Sequence, residues 1–357
     1  MKVAIIARST LYTVPGGDTI QAMETAAHLN SLGVSADIKL SNYEISYKDY
    51  DLLHFFNIIR PADILYHSKK ARKPFVISPI LVDYSEYDKN YRAGIGKLFS
   101  FLPADSLEYL KTIARWLLKG DHLSSPAYIW KGQRKSIADI LKRTALILPN
   151  SESEYRRVVK AYPGVLKYRV IPNGINAALF KYKGGSQKDP KLVICVARIE
   201  GIKNQLNLIK ALSNTDFQLL IIGKQSPNQP AYYQHIRSIA GPNVAFIEHL
   251  PQNELVQYYQ KAKVHILPSW FETTGLSSIE AAAMGCNIVI TNRGDAKEYF
   301  GRDAFYCDPL LPQSILEAVK KASAAPFNDR LREKILEKYT WAQTALQTFK
   351  AYQSVIT

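Results

Sequence analysis

The chain has 357 residues, of which 47% are hydrophobic and 22% are charged. This length accommodates two ordinary domains, and the ordinary apolar fraction excludes a disordered chain. No apolar stretch is long enough to cross a bilayer, and the run at residues 3–7 is too short for a signal-peptide core, so we expect a cytoplasmic protein.

The charge and the cysteines narrow the classes of protein further. The formal net charge of +15 favours anionic partners, namely nucleic acid, acidic lipid surfaces or phosphorylated substrates. Cys195, Cys286 and Cys307 are scattered along the chain. This spacing predicts small core residues rather than a disulfide framework or a zinc site.

Short apolar runs recur along the whole chain and predict strands that alternate with helices. In the first half these runs are 2–7, 34–38, 50–57, 73–79, 145–148 and 168–175. In the second half they are 192–197, 217–223, 243–247, 263–267, 287–291 and 304–307. This alternation predicts an α/β protein with two Rossmann-like domains facing a cleft, because each set of strand ends would feed that cleft.

A glycine loop follows the first run. Gly16 and Gly17 precede a helix that we expect to end near Ser31 and that Asp18 or Thr19 can cap. Such a loop permits a close approach of phosphate, but the full G-x-G-x-x-G fingerprint is absent. A tight turn with no ligand is an equal alternative.

Residues 85–143 differ in character from the rest of the chain, because cations and tyrosines are interleaved there with apolar residues. Amphipathic cationic segments with Trp, Phe and Leu can lie in a membrane interface. The alternative is a set of helices that cover the sheet with their charges in water. The candidate membrane-contacting residues are Lys97, Phe99, Phe101, Arg115, Trp116, Lys119, Trp130, Lys131, Arg134 and Lys135.

Two cations follow the first strand of the second half. Arg198 stands at the carboxyl end of the predicted strand, and Lys203 stands just before a predicted helix. An arginine offers a bidentate fork and a lysine a point charge, so the pair can clamp an anion. A chance pair of surface cations is the alternative.

The most informative stretch is residues 268–285, which read P-S-W-F-E-T-T-G-L-S-S-I-E-A-A-A-M-G. It joins two predicted strands through a helix, so its loop should lie at the carboxyl edge of a parallel sheet. Ser277 or Ser278 can cap this helix, and Gly285 can end it.

The loop combines an anion site with two acids. Its amides would lie at the positive end of the helix, where phosphate is bound. Glu272 lies in the loop and Glu280 one turn into the helix, and carboxylates beside a bound anion can accept hydrogen bonds from sugar hydroxyls. The other candidate donor-binding residues of this loop are Thr273, Thr274, Gly275 and Leu276.

The Glu-x7-Glu spacing, with Gly-Leu between the acids and Glu-Ala-x-Ala-x-Gly from the second acid onward, resembles the donor-site signature of retaining glycosyltransferases of family 4, GT-B fold. The resemblance implies that Glu280 holds the ribose of a nucleotide and that Glu272 holds hydroxyls of the transferred sugar. It also implies that Arg198 and Lys203 neutralise the diphosphate. Since these cations supply the charge and no paired aspartate motif stands out, we expect no metal and no cofactor besides the nucleotide-sugar.

The resemblance extends beyond this loop. It implies that Gly16 and Gly17 approach the donor phosphates or the acceptor, and that His249 and Leu250 seat the base. It further implies a C-terminal helix, starting at Trp341, that returns to the first domain. The expected domains are 1–175 with 341–357 on the acceptor side, a linker at 176–190, and a donor-binding domain at 191–340.

One segment departs from the family pattern. Many members end the fourth strand with a histidine near the reacting sugar, whereas this chain reads S-P-I-L-V-D-Y at 78–84. Asp83 or Tyr84 is therefore the candidate for that place on the acceptor side. His54 fits a buried supporting residue better than a catalyst.

The resemblance predicts a retaining glycosyltransferase that moves a sugar from a nucleotide-diphosphate-sugar to a saccharide acceptor. With the basic segment, we expect a polyprenyl-diphosphate-linked acceptor, a role in surface polysaccharide synthesis, and a peripheral position on the inner face of the membrane. A nucleotide-sugar epimerase or a phosphorylase of the same fold is an alternative. A basic nucleic-acid binder is another, although no RNA-binding signature is visible.

Overall fold

The computed structural model describes residues 1–90, 104–119, 125–164, 166–184 and 187–356. Internal contacts divide the chain into two units. Unit 1 comprises residues 1–89, the described part of 93–173, and the described residues from Trp341 onward, and unit 2 comprises residues 174–340. Residues 176–190, predicted as a linker, fall in unit 2.

Unit 1 contains a five-stranded parallel sheet. Its strands are β1 Lys2–Ala7, β2 Ser35–Leu40, β3 Leu52–Phe56, β4 Phe75–Ser78 and β5 Leu146–Ile147, in the order β2-β1-β3-β4-β5. Its helices up to residue 161 are α1 Gly17–Ser31, α2 Pro61–Ala71, α3 Ser85–Asn90, α4 Ala104–Lys119, α5 Ala127–Arg143 and α6 Glu152–Ala161. Ile5 belongs to the core on one face of the sheet and Ile6 to the core on the other, because alternate strand residues point to opposite faces. Burial on both faces explains the unbroken apolar runs in the sequence.

Unit 2 contains a six-stranded parallel sheet. Its strands are β6 Asp189–Val196, β7 Gln218–Ile222, β8 Val244–Ile247, β9 Ala262–Leu267, β10 Asn287–Thr291 and β11 Phe305–Cys307, in the order β11-β10-β9-β6-β7-β8. Its helices are α7 Gln205–Leu212, α8 Pro230–Ser238, α9 Gln252–Lys261, α10 Leu276–Ala283, α11 Ala296–Phe300, α12 Pro312–Ala324 and α13 Asp329–Lys338. Cys195, Cys286 and Cys307 are buried and unbridged in this unit, as predicted.

The last helix, α14 Trp341–Ile356, packs against α1 in unit 1. Its Tyr352 hydroxyl lies 2.7 Å from Nδ1 of His54, whose Nε2 lies 2.9 Å from Oγ of Ser78. Burial lowers the pKa of His54 to about 3, so this histidine is neutral. The predicted return of the C-terminal helix to the first domain is confirmed, and His54 is a buried supporting residue.

Two local predictions were wrong in part. The run 168–175 forms isolated bridges, from Tyr168 to Ile147 of β5 and from Ile175 to Thr340, rather than a strand, because Pro149 and Pro172 lack the amide donors that a longer ladder needs. At the start of α1 the capping residue is Gly16, and the predicted Thr19 completes a capping box because its Oγ1 accepts from the Gly16 amide at 3.0 Å. The Asp18 carboxylate instead accepts two hydrogen bonds from the Arg8 guanidinium, at 2.6 and 3.0 Å.

The structure describes only some of the residues that were predicted to contact a membrane. Lys97, Phe99 and Phe101 lie outside the described residues, as do the side chains of Arg115, Trp116 and Lys119. Within the described ranges, no helix combines the length and apolar composition that a bilayer crossing requires.

Candidate functional site

The strand order of unit 2 brings the predicted donor-site segments together. β6 lies between β9 and β7, and β10 pairs with the other side of β9. Because all of these pairs are parallel, the segments that follow β6, β9 and β10 leave the same edge of the sheet. These segments contain Arg198 and Lys203, the loop 268–275, and the turn 293–295.

The loop that carries Glu272 is fixed through its backbone. The Glu272 amide donates to the Arg293 carbonyl at 3.3 Å, and the Asp295 amide donates to the Glu272 carbonyl at 2.8 Å. Gly294 lies between these partners with φ of 93°, and a Cβ atom there would lie 2.2 Å from the Glu272 carbonyl oxygen. Only glycine fits this approach, so Gly294 is a site-forming residue that the sequence analysis missed.

The side chain of Glu272 is 8% exposed and forms an ion pair. Its Oε2 accepts from Lys203 Nζ at 2.9 Å and from Ser269 Oγ at 3.1 Å. Arg198 has an acidic neighbour too, since its Nη1 lies 3.6 Å from Oε2 of Glu200. Both cations of the predicted clamp therefore contact carboxylates in the ligand-free chain.

Asn204 joins the lysine segment to the Glu272 loop. It follows the turn Gly201–Lys203, adopts a left-handed conformation with φ of 58°, and is buried. Its Nδ2 donates to the carbonyls of Pro268 at 3.0 Å and of Pro309 at 2.8 Å. Asparagine tolerates this backbone conformation better than most residues do. Its hydrogen bond to Pro268 ties the backbone next to Lys203 to the loop that carries Glu272.

The N-terminus of α10 is present as predicted, but its predicted cap was wrong. Gly275, with φ of 70°, is the capping residue, and the first helical bond runs from the Ile279 amide to the Gly275 carbonyl at 3.0 Å. The amides of Gly275 and Leu276 precede that bond and lie at the positive end of the helix dipole. Ser277 donates instead to the Val196 carbonyl at 2.7 Å.

The other predicted residues in and around this helix have structural roles as well. Ser278 is buried against Nδ1 of His265 at 3.3 Å rather than acting as a cap. Thr274 is buried and its Oγ1 lies 3.2 Å from the Tyr299 hydroxyl, whereas Thr273 is partly exposed. Gly285, with φ of 75°, follows the last turn of the helix, as predicted.

Glu280 is 7% exposed and is held by two residues of α9. Gln252 Nε2 donates to its Oε1 at 2.8 Å, and the Tyr259 hydroxyl donates to its Oε2 at 3.1 Å. Burial raises the pKa of Glu280 to about 7, although both hydrogen bonds oppose this shift. No local pattern in the sequence points to Gln252 or Tyr259, because such a pattern does not show which helix face meets another.

The predicted base-seating segment leaves the same sheet edge. His249 and Leu250 follow β8, the edge strand, and His249 is exposed. The chain then enters α9 at Gln252, whose side chain reaches Glu280. The structure thus brings the segment that follows β8 to the second acid of the motif.

Four predicted residues belong to unit 1. Gly16 caps α1 and Gly17 is its first residue, at the carboxyl edge of the first sheet. Asp83 is exposed, and its Oδ1 accepts from the Ser85 amide, the first of α3, at 3.0 Å. Tyr84 is partly exposed in the same loop. The acceptor-side role of these residues stays a prediction.

No metal-binding cluster of three or more His, Cys, Asp or Glu side chains occurs in the part of the chain that the structure describes. Arg198 and Lys203 are two cations at this edge that could neutralise an anion. The prediction that no divalent ion is needed stays open to experiment.

Residues 178–339 match the family model described as "Glycosyl transferases group 1". Among curated relatives, the chain is 26% identical over 202 residues to MMP alpha-(1->4)-mannosyltransferase of Mycolicibacterium hassiacum, covering 52% of this chain and 48% of the relative. It is 27% identical over 203 residues to glycogen synthase of Mycobacterium tuberculosis, covering 53% and 49%. The matched region thus spans about half the length of these curated relatives.

Solved structures resemble the chain over nearly its whole length. Sucrose-phosphate synthase from Thermosynechococcus elongatus superposes with a TM-score of 0.77 at 16% identity, covering 99% of this chain and 98% of that one. HepE from Anabaena, solved in complex with UDP and glucose, gives a TM-score of 0.68 at 15% identity, covering 99% and 100%. The fold is that of these GT-B glycosyltransferases.

Proposed function

We propose that this chain is a retaining, metal-independent glycosyltransferase that moves a sugar from a nucleotide-diphosphate-sugar to a saccharide acceptor. The observation that carries the proposal is the convergence of two cations and two carboxylates at one sheet edge, beside the N-terminus of α10. A donor with two phosphates and two sets of hydroxyls requires both kinds of group. The sequence match to group 1 glycosyltransferases covers this same region.

The leaving diphosphate is the group that needs most stabilisation. Negative charge develops on it as the glycosidic bond to the donor sugar breaks, and Arg198, Lys203 and the amides at Gly275 and Leu276 can receive that charge. In the ligand-free chain the two cations contact Glu200 and Glu272. Donor binding would exchange these carboxylate partners for phosphate oxygens.

The two acids of the motif have separate tasks in this proposal. Glu280 accepts hydrogen bonds from the ribose of the nucleotide. Glu272, once Lys203 turns to phosphate, accepts hydrogen bonds from hydroxyls of the transferred sugar. His249 and Leu250 would contact the base, and Gly16 and Gly17 the phosphates or the acceptor.

The relatives support transfer from a nucleotide-sugar without fixing its identity. Their names include a mannosyltransferase, a D-inositol 3-phosphate glycosyltransferase and a glycogen synthase. A neighbour of the same fold was solved in complex with UDP-glucose. From these proteins we carry over to this chain only the proposal that its donor contains a nucleoside diphosphate.

We extend the proposal to a polyprenyl-diphosphate-linked acceptor in surface polysaccharide synthesis, on a cytoplasmic enzyme that binds the inner face of the membrane. The support is a set of exposed residues of α5, here called the α5 basic surface, which lie on both sides of a kink at Gly132: Trp130, Lys131, Arg134 and Lys135. Trp130 is 89% exposed. Lys131 pairs with Asp139 at 2.8 Å and Arg134 lies 3.7 Å from Asp105, so part of the positive charge is internally balanced.

Two experiments in sequence test the proposed activity. Thermal unfolding is measured with a panel of UDP-, GDP-, ADP- and dTDP-sugars, because a ligand that binds the folded state raises the melting temperature. The stabilising donor is then incubated with short saccharide acceptors, and proton NMR reads the anomeric configuration of the product. An inverted product would contradict retention, and the absence of stabilisation by every donor would contradict the proposal itself.

A further inference from the structure

The two oxygens of the Glu280 carboxylate are held separately by one helix. Gln252 and Tyr259 lie about two helical turns apart on α9 and so project from the same face. Gln252 donates to Oε1 at 2.8 Å and Tyr259 donates to Oε2 at 3.1 Å. The plane of the carboxylate is therefore fixed by two donors rather than by one.

Tyr259 is itself immobilised. It is fully buried, and its ring centroid lies 6.0 Å from that of Phe180. Its carbonyl accepts from Lys188 Nζ at 2.7 Å, and the same ammonium group donates to the Ala262 carbonyl at 3.1 Å. Lys188 thus caps the carboxyl end of α9 and fixes the residue that holds Glu280.

The remaining hydrogen-bonding capacity of Glu280 is limited and specific. An ionised carboxylate has about four acceptor positions, two on each oxygen. Gln252 and Tyr259 take one position on each oxygen, so about one position remains on each. Two neighbouring hydroxyl groups match this arrangement, and a ribose has them at its 2′ and 3′ carbons.

We propose that Gln252 and Tyr259 are positioning residues that reserve one acceptor on each oxygen of Glu280 for the two ribose hydroxyls, and so make the site selective for ribonucleotides over 2′-deoxyribonucleotides. This inference rests on the proposed function, since it assumes that a nucleotide binds at Glu280. Beyond the ribose contact already proposed for Glu280, it assigns a role to two residues of α9 that lie outside the two-acid motif.

The ionisation of Glu280 gives this inference a second readout. Only the carboxylate accepts on both oxygens, because a protonated carboxyl uses one oxygen as a donor. The pKa of Glu280 is raised to about 7 by burial, and the Tyr259 hydrogen bond lowers it. Removal of that bond should therefore move the loss of ribonucleotide affinity to higher pH.

Burial also shifts the pKa values of the other titratable groups near this pair. His265 of β9 lies beside the Tyr259 ring, and burial lowers its pKa to about 3. Cys195 of β6 has its pKa raised to about 12, and burial also raises the pKa of Cys286 before β10. Lys188 contacts the Tyr259 carbonyl, and burial lowers its pKa.

The test compares ribose and deoxyribose forms of the same nucleotide on the full chain. Calorimetry measures the affinities of UDP, GDP and ADP and of their 2′-deoxy counterparts for the unmodified protein, for Tyr259→Phe and for Gln252→Met. Tyr258→Phe is the matched control, because Tyr258 is the preceding residue of α9 and packs against the same core.

We expect the unmodified protein and Tyr258→Phe to prefer the ribose form by about tenfold or more, the size expected for a hydrogen bond to a charged group. Tyr259→Phe and Gln252→Met should lower the ratio of the affinity for the ribose form to that for the deoxyribose form. Tyr259→Phe should also shift the loss of ribonucleotide affinity to higher pH. Equal binding of both forms by the unmodified protein would overturn this inference and the assignment of Glu280 to the ribose, but nucleotide binding itself would still support the proposed transferase activity. Equal weakening of both forms by the variants, with no change of ratio or pH profile, would also overturn it. No binding of any nucleotide would reject both proposals.

Discussion

The Nζ atom of Lys203 lies 2.9 Å from Oε2 of Glu272, a residue 69 positions further along the chain. The pair joins the segment after β6 to the loop after β9, and Ser269 adds a second donor to the same oxygen at 3.1 Å. Each partner is a residue that the proposed mechanism needs for the donor. In the proposed mechanism Glu272 therefore competes with the diphosphate for Lys203, and donor binding replaces this ion pair.

The competition predicts opposite effects of one substitution on two ligands. Glu272→Gln removes the charge that holds Lys203, so affinity for a free nucleoside diphosphate should stay the same or rise. Affinity for the complete nucleotide-sugar should fall about tenfold, because the acceptor for the sugar hydroxyls is weakened. Calorimetry with both ligands measures the two effects. The control is Glu317→Gln, at an exposed position of α12. Equal weakening of both ligands would show that the role of Glu272 is misassigned.

The buried acid Glu280 predicts a pH dependence of stability. Its pKa in the folded chain is raised from 4.5 to about 7, so the folded state binds this proton more tightly than the unfolded state does. The free energy of unfolding should therefore fall as pH rises from about 4.5 to about 7, by up to about 3 kcal/mol from this group. Urea unfolding across this range measures it, and Glu280→Gln should flatten the curve. An unchanged slope in Glu280→Gln would contradict the raised pKa.

The metal-independent clamp predicts that activity survives chelation. In the proposed mechanism Arg198 and Lys203 supply the positive charge that a divalent ion would otherwise provide. Transfer rates measured before and after dialysis against EDTA should agree. Loss of activity that added magnesium or manganese restores would show that a metal ion stabilises the diphosphate.

The α5 basic surface predicts reversible binding to anionic membranes. An exposed tryptophan beside cations can insert at the interface, and the charge contribution should weaken as salt rises. Sedimentation with vesicles of phosphatidylglycerol should capture the protein, whereas vesicles of phosphatidylcholine should not. The double substitution Arg134→Glu and Lys135→Glu should abolish capture.

The matched control for this surface reverses two adjacent exposed lysines in unit 2, Lys320→Glu and Lys321→Glu, and changes net charge equally. If capture falls equally in both double variants, the binding depends on the net charge of the protein and not on the α5 basic surface. No capture at low salt would contradict the membrane proposal, and the acceptor would then be sought among soluble saccharides.

The sequence predicted the strands of both sheets and the two acids, because buried parallel strands and a loop-to-helix motif leave local patterns. It could not predict which side chains meet across elements. The Lys203 and Glu272 pair and the contact of α9 with Glu280 depend on strand order, which the local pattern leaves open. The predicted cap of α10 was wrong for the same reason, since Ser277 reaches the Val196 carbonyl of a neighbouring strand.

The central claim is that Arg198 and Lys203 stabilise a leaving diphosphate, and the most direct measurement is the turnover rate of Arg198→Ala and Lys203→Ala with the stabilising nucleotide-sugar. The control is Lys210→Ala, on the exposed side of nearby α7. Each clamp variant should lose about 10²–10³-fold in kcat, as expected for a lost transition-state donor, while its melting temperature stays close to that of the control. Near-normal kcat in both folded clamp variants would contradict the account.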